Sequence, residues 1–255
     1  MCSPTPRASL SGVSAVGVWP SEPLTGSLAE RAYFAVRDRL LTLAIAPGAP
    51  VQEDRLCAEL GLGRTPVREA IKRLEAEHLV VVYPRRGTFA TEIDISDHAL
   101  IADVRRHLES MAAERAALHH TGSDAEVLGA LRAEIEAAAS SRAPRARRLA
   151  APDRDALMGL DGRLHQALYH ATGNPYLETT LGQYYNLALR LWYAFIDRLD
   201  DVAGHVGGHV ELVEAVLAGD AATASRLASE HVEAFERAVL EAELHHSVVL
   251  TPSGA

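Results

Sequence analysis

The sequence predicts a mainly α protein, with an N-terminal winged helix-turn-helix over residues 27–94 and an all-α bundle of about six helices over residues 95–246. Three observations carry this. Gly61 to Leu74 reads as a tight turn followed by a helix with grouped cations. Residues 79–91 hold the pattern of a hairpin, and no strand pattern follows it. After Glu92, apolar residues recur at helical spacing almost to the C-terminus.

Residues 1–26 are rich in Ser, Pro and Gly and read as a disordered extension. Arg7 followed by Ala8 to Trp19 faintly resembles a signal peptide, but it is too polar and lacks a convincing cleavage site. Leu28 to Leu43 is the first helix, with Ala32, Ala35, Val36, Leu40 and Leu43 on its apolar side and Pro47 to Pro50 ending it. Glu53 to Leu60 is a short helix that Gly61 breaks, glycine being the cheapest residue at a helix C-terminus. Thr65 is a good N-cap, with Pro66 at the first helical position, where its missing N–H is not needed. Val67, Ile71 and Leu74 then face inward, while Arg64, Arg68 and Lys72 lie near the start and along another face. Leu79 to Tyr83 is apolar and β-branched and reads as a strand, Pro84 to Gly87 as a turn carrying Arg85 and Arg86, and Thr88 to Thr91 as the returning strand. A capped helix or a hairpin alone is ordinary in α/β domains. Their succession, with cations at the helix start and at the hairpin tip, is the form of a DNA-reading module.

Ser96 can cap the first bundle helix, His98 to His119. Asp124 to Ser140 is the next, and Ser140 to Pro152 a basic, Pro-containing loop. Asp153 to Thr172 ends at Gly173-Asn174-Pro175, and Tyr176 to Leu199 follows with a kink allowed. Val202 to Leu217 turns at Ala218-Gly219-Asp220 into Ala221 to His245, and residues 247–255 form a tail.

The chain carries a net charge of −9, which at first argues against a DNA partner. The distribution answers this: Ser27 to Glu92 holds ten Lys/Arg against nine Asp/Glu, and the remainder fifteen against twenty-five. Screening confines distant charges to within about 10 Å at ordinary salt, so local cations decide phosphate binding. Cys2 and Cys57 are the only cysteines; no disulfide is expected, which suits a reducing cytoplasm. No apolar run approaches the roughly 20 residues of a membrane helix.

The bundle holds a second chemical constellation. Asp161 and His165 are spaced i, i+4 and project from one helical face. His209 lies about ten residues before the last turn and His231 about eleven after it, so the two are nearly level across a helical hairpin at about 1.5 Å per residue. Three imidazoles and a carboxylate suit a divalent ion such as Zn²⁺, Ni²⁺, Mn²⁺ or Fe²⁺. Twelve histidines also make such spacings arise by chance, and on spacing alone a surface or satisfied core placement is the commoner explanation. His205 is an alternative to His209 if the helix starts later.

The residues Arg64-Thr65-Pro66-Val67-Arg68-Glu69-Ala70, with Arg85-Arg86-Gly87-Thr88-Phe89 at wing distance, resemble the GntR family of winged helix-turn-helix regulators over Leu28 to Thr91. Leu62-Gly63 replaces the family's Val-Ser, which removes a hydroxyl that could meet phosphate, and His78 stands where glycine is usual. From Ile95 to Glu241 the chain is similar to the helical FCD ligand-binding domain of the FadR-type branch, on Asp161…His165, Gly173-Asn174-Pro175, Gly208-His209, Gly219-Asp220 and Glu230-His231. Leu164 replaces the usual Phe, a change of packing and not of ligation.

The resemblance implies a homodimeric cytoplasmic regulator, most commonly a repressor, that binds a double-stranded operator through Arg64, Thr65, Arg68, Lys72, Arg85, Arg86 and Gly87. It implies a metal on Asp161, His165, His209 and His231, with a small carboxylate beside it. Arg105 occupies a family position that often points into the cavity, against a surface ion pair with Asp103 or Glu109; Arg190, in an apolar stretch, is a second candidate for gripping the acid. Two other readings stay open: a purely structural metal with no small-molecule effector, and, remotely, a metalloenzyme that activates water.

Overall fold

The computed structural model describes residues 26–140, 151–199 and 201–249, so 1–25 of the expected extension, 141–150 of the basic loop and 250–255 of the expected tail lie outside the described residues, while 247–249 continue the last helix and 151–152 open one, where tail and loop were expected. The winged part runs α1 (Leu28–Leu41), α2 (Glu53–Leu60), α3 (Arg64–Ala76), β1 (Val80–Tyr83) and β2 (Gly87–Ala90). Ser27 opens α1 with a capping box, its hydroxyl accepting from Glu30 N while the Glu30 carboxylate accepts from Ser27 N. Ala32, Val36, Leu40 and Leu41 on α1 meet Val67, Ala70, Ile71 and Leu74 on α3 in a buried core. The Tyr33 hydroxyl donates to Glu77 Oε2 at 2.7 Å, and the Arg73 guanidinium lies 3.6 Å from the Tyr33 ring centroid, tying α1 to the end of α3.

Gly61 takes the left-handed conformation expected of it, at φ 64° and ψ 32°. The next helix starts earlier than expected. Gly63, extended at φ −73° and ψ 168°, is the N-cap, so Arg64 is the first helical residue, Thr65 the second and Pro66 the third. Proline fits there because the first N–H groups of a helix have no intrahelical partner anyway. At the far end His78 adopts φ 60°, with its N–H on Glu75 O and the Leu79 N–H on Leu74 O. This is a Schellman end closed by the fully buried pair Leu74 and Leu79, and it explains why glycine is the usual residue at this position. The strands pair antiparallel, Val80 with Ala90 and Tyr83 with Gly87, and residues 48–51 bond along the other side of β2.

The bundle comprises α4 (Ile95–His119), α5 (Gly122–Ser140), α6 (Ala151–Ala171), α7 (Pro175–Phe195), α8 (Val202–Gly207), α9 (His209–Leu217) and α10 (Ala221–Val249). Asp94, not Ser96, caps α4: its carboxylate accepts from the Ser96 N–H and hydroxyl, both at 2.8 Å. Asn174 caps α7 and Pro175 opens it, as the Gly-Asn-Pro run requires. The expected kink of this helix is a 3₁₀ turn at Ile196–Arg198. The single helix expected over Val202 to Leu217 is two, parted at Gly208. The longest packing runs between α4 and α10, α5 and α6 pair, and α7 meets both α4 and α1, joining bundle to winged part.

Candidate nucleic-acid interface and metal centre

The four-residue spacing of Arg64, Arg68 and Lys72 puts them on one exposed face of α3, with Thr65 exposed beside them. Two of these cations have partners that the sequence did not suggest. Arg64 Nη2 lies 3.1 Å from Asp54 Oδ1, and Arg68 Nε donates to Glu53 Oε2 at 2.7 Å. Glu53 and Asp54 form the first turn of α2, so they aim the guanidinium groups outward across a shared cleft. The acidic start of a helix before a cationic one was the available signal. Arg85, Arg86 and Gly87 are exposed at the wing tip, where Arg85 is left-handed at φ 63° and the Arg86 guanidinium lies 5.6 Å from the Tyr83 ring centroid. Recognition helix and wing thus present two cationic points, the arrangement with which winged modules meet a groove and its flanking phosphates.

The bundle brings the four expected ligand residues together. One donor atom from each of Asp161, His165, His209 and His231 lies within 4.8 Å of every other. Helix α6 supplies the first two one turn apart, α9 supplies His209 and α10 His231. The hairpin levels the last two, whose ring centroids are 4.0 Å apart. His205 on α8 packs, tilted, against His231 at 4.1 Å and Trp192 at 4.7 Å between ring centroids, so it borders the cluster without replacing His209.

The hydrogen bonds orient the rings. His209 Nδ1–H donates to Val206 O at 3.1 Å, which leaves Nε2 with a lone pair. The Tyr169 hydroxyl donates to Glu109 Oε1 at 2.6 Å, so its oxygen accepts from His165 Nδ1–H at 3.1 Å. The Nε2 atoms of His165 and His209 face each other at 3.2 Å. Asp161 Oδ2 accepts from the Tyr185 hydroxyl at 2.7 Å, whereas its buried Oδ1 has no hydrogen-bond partner. Two facing ring nitrogens and an orphaned carboxylate oxygen are donor atoms that a cation among them would satisfy.

The electrostatics agree. Burial pulls the His209 imidazole down to about 4 against the pull of Asp161, and His205 down to about 3; burial and the neighbouring imidazoles hold His231 well below its usual range. These rings are neutral at ordinary pH, the form that ligates. Burial alone would raise Asp161, but the adjoining His165 and His209 and the Tyr185 hydroxyl outweigh it and keep the carboxylate ionised. Donor types and spacing both fit a divalent ion.

Beyond the ligands lies a shell that spacing did not single out. Glu109 accepts from Tyr169 and from Arg105 Nη2 at 2.8 Å, with His165 Nδ1 3.6 Å from its other oxygen. Arg105 is 4% exposed, so of its two expected placements the cavity is the observed one, with Glu109 as a buried partner. The cavity is bordered by Arg105, Asp161, His165, Tyr185, Trp192 and His205, and has about 10 Å³ of free space, roughly one water. Arg190 does not reach it. Helix α7 turns this residue the other way, where Nη2 donates to Thr91 O at 2.9 Å and Nη1 to Thr91 Oγ1 at 2.5 Å. Arg190 is thereby corrected from a cavity residue to one at the junction of the two parts.

A winged helix-turn-helix joined to a histidine-bearing helical bundle defines a DNA-binding transcriptional regulator. The chain belongs to the bacterial regulatory proteins of the gntR family, whose model matches residues 28–90, and carries an FCD domain over residues 100–234. It is 29% identical over 202 residues to an uncharacterised HTH-type transcriptional regulator of Streptomyces ambofaciens, covering 79% of this chain and 80% of that one. It is also 29% identical to a probable D-xylose utilization operon transcriptional repressor of Paenarthrobacter nicotinovorans, covering 74% and 78%. Among solved structures, E. coli McbR/YncC superposes with a TM-score of 0.72 at 21% identity, over 85% of this chain and 99% of that one. This family and these relatives are regulators of transcription, not enzymes. Among the described residues no helix is long and apolar enough to cross a membrane.

Proposed function

We propose that the chain is a cytoplasmic repressor whose operator affinity is set by a divalent ion and a small carboxylate bound in the helical bundle. The observation that carries this is the pair of imidazole Nε2 atoms facing each other at 3.2 Å beside the unpartnered Asp161 Oδ1. His165, His209, His231 and Asp161 would hold Zn²⁺, Ni²⁺, Mn²⁺ or Fe²⁺; when bound, the ion supplies an open coordination position for an acid. Tyr169 and Glu109 orient His165, and Tyr185 orients Asp161. Arg105 borders the same cavity and offers a guanidinium to a carboxylate once it turns from Glu109.

Operator contact falls to Arg64, Thr65, Arg68 and Lys72 on α3 and to Arg85, Arg86 and Gly87 on the wing. On DNA, Arg68 exchanges Glu53, and Arg64 exchanges Asp54, for base edges or phosphates. Two copies place two such modules on half-sites about 34 Å apart. An exposed apolar row on α4 (Leu100, Val104, Met111 and Leu118) supports pairing of two chains.

A second reading, a structural ion with no effector, is favoured by the small free space of the cavity. Elemental analysis of untagged protein, beside thermal-shift screening of small organic acids with and without EDTA, separates the two. About one ion per chain and a stabilising acid whose effect EDTA abolishes support sensing. An ion with no acid response supports the structural role. No ion overturns both. His165→Ala lowers the ion content, and full occupancy in that variant would mean the ligands are misassigned.

A further inference from the structure

Arg190 is 3% exposed and serves neither the cavity nor the surface. It stands on α7 between Leu189 and Leu191, and Leu189 borders the cavity together with Tyr185, Ala188 and Trp192 of the same helix. Its guanidinium reaches out of the bundle to Thr91, directly after β2. Thr91 is itself bound to the end of the recognition helix. Its hydroxyl donates to His78 O at 2.9 Å, with Leu79 O at 3.2 Å, and its N–H donates to Leu79 O at 3.1 Å. His78 and Leu79 close α3. An unbroken chain of bonds therefore runs from Asp161 through Tyr185 along one rigid helix to Arg190, Thr91 and the C-terminus of the recognition helix.

We infer that Arg190 is a positioning residue that clamps the end of the recognition helix and wing to α7, so that a change at the cavity wall alters the pose of the DNA-reading face. The coupling to the cavity rests on the metal reading above; the clamp itself does not. A rigid helix transmits displacement without deforming, and Tyr185 and Arg190 sit five residues apart, roughly 7.5 Å along it. The contact is also suited to release. Burial pulls the Arg190 guanidinium down to about 10, with Glu92 opposing, and its Nε is buried without a hydrogen-bond partner. A desolvated cation satisfied on only part of its donors regains water when the two parts separate, so both states are accessible.

The test uses the full chain with Arg190→Met, which keeps length and apolar bulk, and Thr91→Val, which keeps shape and removes the hydroxyl. Hydrogen exchange is followed on residues 77–91 and on α4 to α6. The clamp predicts at least tenfold faster exchange over 77–91 in both variants, with the bundle unchanged; unchanged exchange over 77–91 overturns it. Affinity for a duplex that the wild-type chain selects from a random pool is then measured with EDTA and with Zn²⁺. The wild type should shift severalfold on Zn²⁺, and Arg190→Met should bind the same amount of Zn²⁺ yet shift less than twofold. A full shift in Arg190→Met, or Zn²⁺ binding to wild type with no shift, overturns the coupling. Wild type that binds no Zn²⁺ removes the metal reading and the coupling with it, while the exchange result still decides the clamp.

Discussion

Glu109→Gln should destabilise the metal-free protein by about 3–5 kcal/mol, the usual effect of breaking a buried ion pair by removing one partner. The structure supplies the reasons. Glu109 is 5% exposed, and one of its oxygens accepts from Arg105 Nε at 3.3 Å, Arg105 Nη2 at 2.8 Å and the Tyr169 hydroxyl at 2.6 Å. An amide keeps the shape and removes the charge, leaving the Arg105 guanidinium buried without compensation. Set against a total stability of roughly 5–15 kcal/mol, this is a large fraction. Urea denaturation should show a lower midpoint at unchanged slope. Burial pushes the Glu109 carboxyl up, but His165 and Arg105 outweigh it and hold it well below the ordinary carboxylate range. A depressed carboxyl contributes stability above its unfolded pKa, about 4.3, and loses it only as pH falls toward the folded value. The destabilisation should therefore be constant from pH 5 to 8. Arg105→Met combined with Glu109→Gln removes the stranded charge and should recover much of the loss. A single variant within about 1 kcal/mol of wild type, or a double variant no better than the single, would refute the reasoning.

Arg68→Ala should weaken operator binding by about 1–3 kcal/mol with the fold intact, read by titrating a selected duplex; unchanged affinity removes Arg68 from the reading set. His78→Gly should stabilise the winged part by up to about 1 kcal/mol, because glycine takes φ 60° without the side-chain penalty, and thermal unfolding checks the sign. His205 and His209 have folded pKa values of about 3 and about 4 against roughly 6.5 unfolded, so the unfolded chain binds more protons between these values. Metal-free protein should lose stability as pH falls from about 6.5 toward 4, and equal urea midpoints at pH 7 and 4.5 would contradict this.

Much of this architecture was legible because it rests on local periodicity. The cationic face of α3, the wing and the left-handed Gly61 follow from spacing and backbone chemistry. The convergence of His209 and His231 followed from counting residues on either side of one turn. What was not legible depends on contacts distant in sequence. Nothing in an apolar helix says that Arg190 faces a threonine 99 residues away. Tyr169 and Glu109 could have been suspected, since each stands four residues beyond a site residue, His165 and Arg105. The Gly207-Gly208 pair likewise marked the division of α8 from α9, but a continuous apolar pattern outweighed it. At the start of α3, a threonine well suited to capping lost to the extended backbone of Gly63.

The division at Gly207-Gly208 bears on how anything enters the bundle. A six-residue helix bordering a water-sized cavity is the wall least anchored by its own length, and it carries His205 against Trp192. The ligand set itself is mounted elsewhere, on α6, α9 and α10. Yet α8 is tied to that frame, since Val206 O accepts from the Nδ1–H of His209 and His205 packs on His231, so the short wall bears directly on the ligand set.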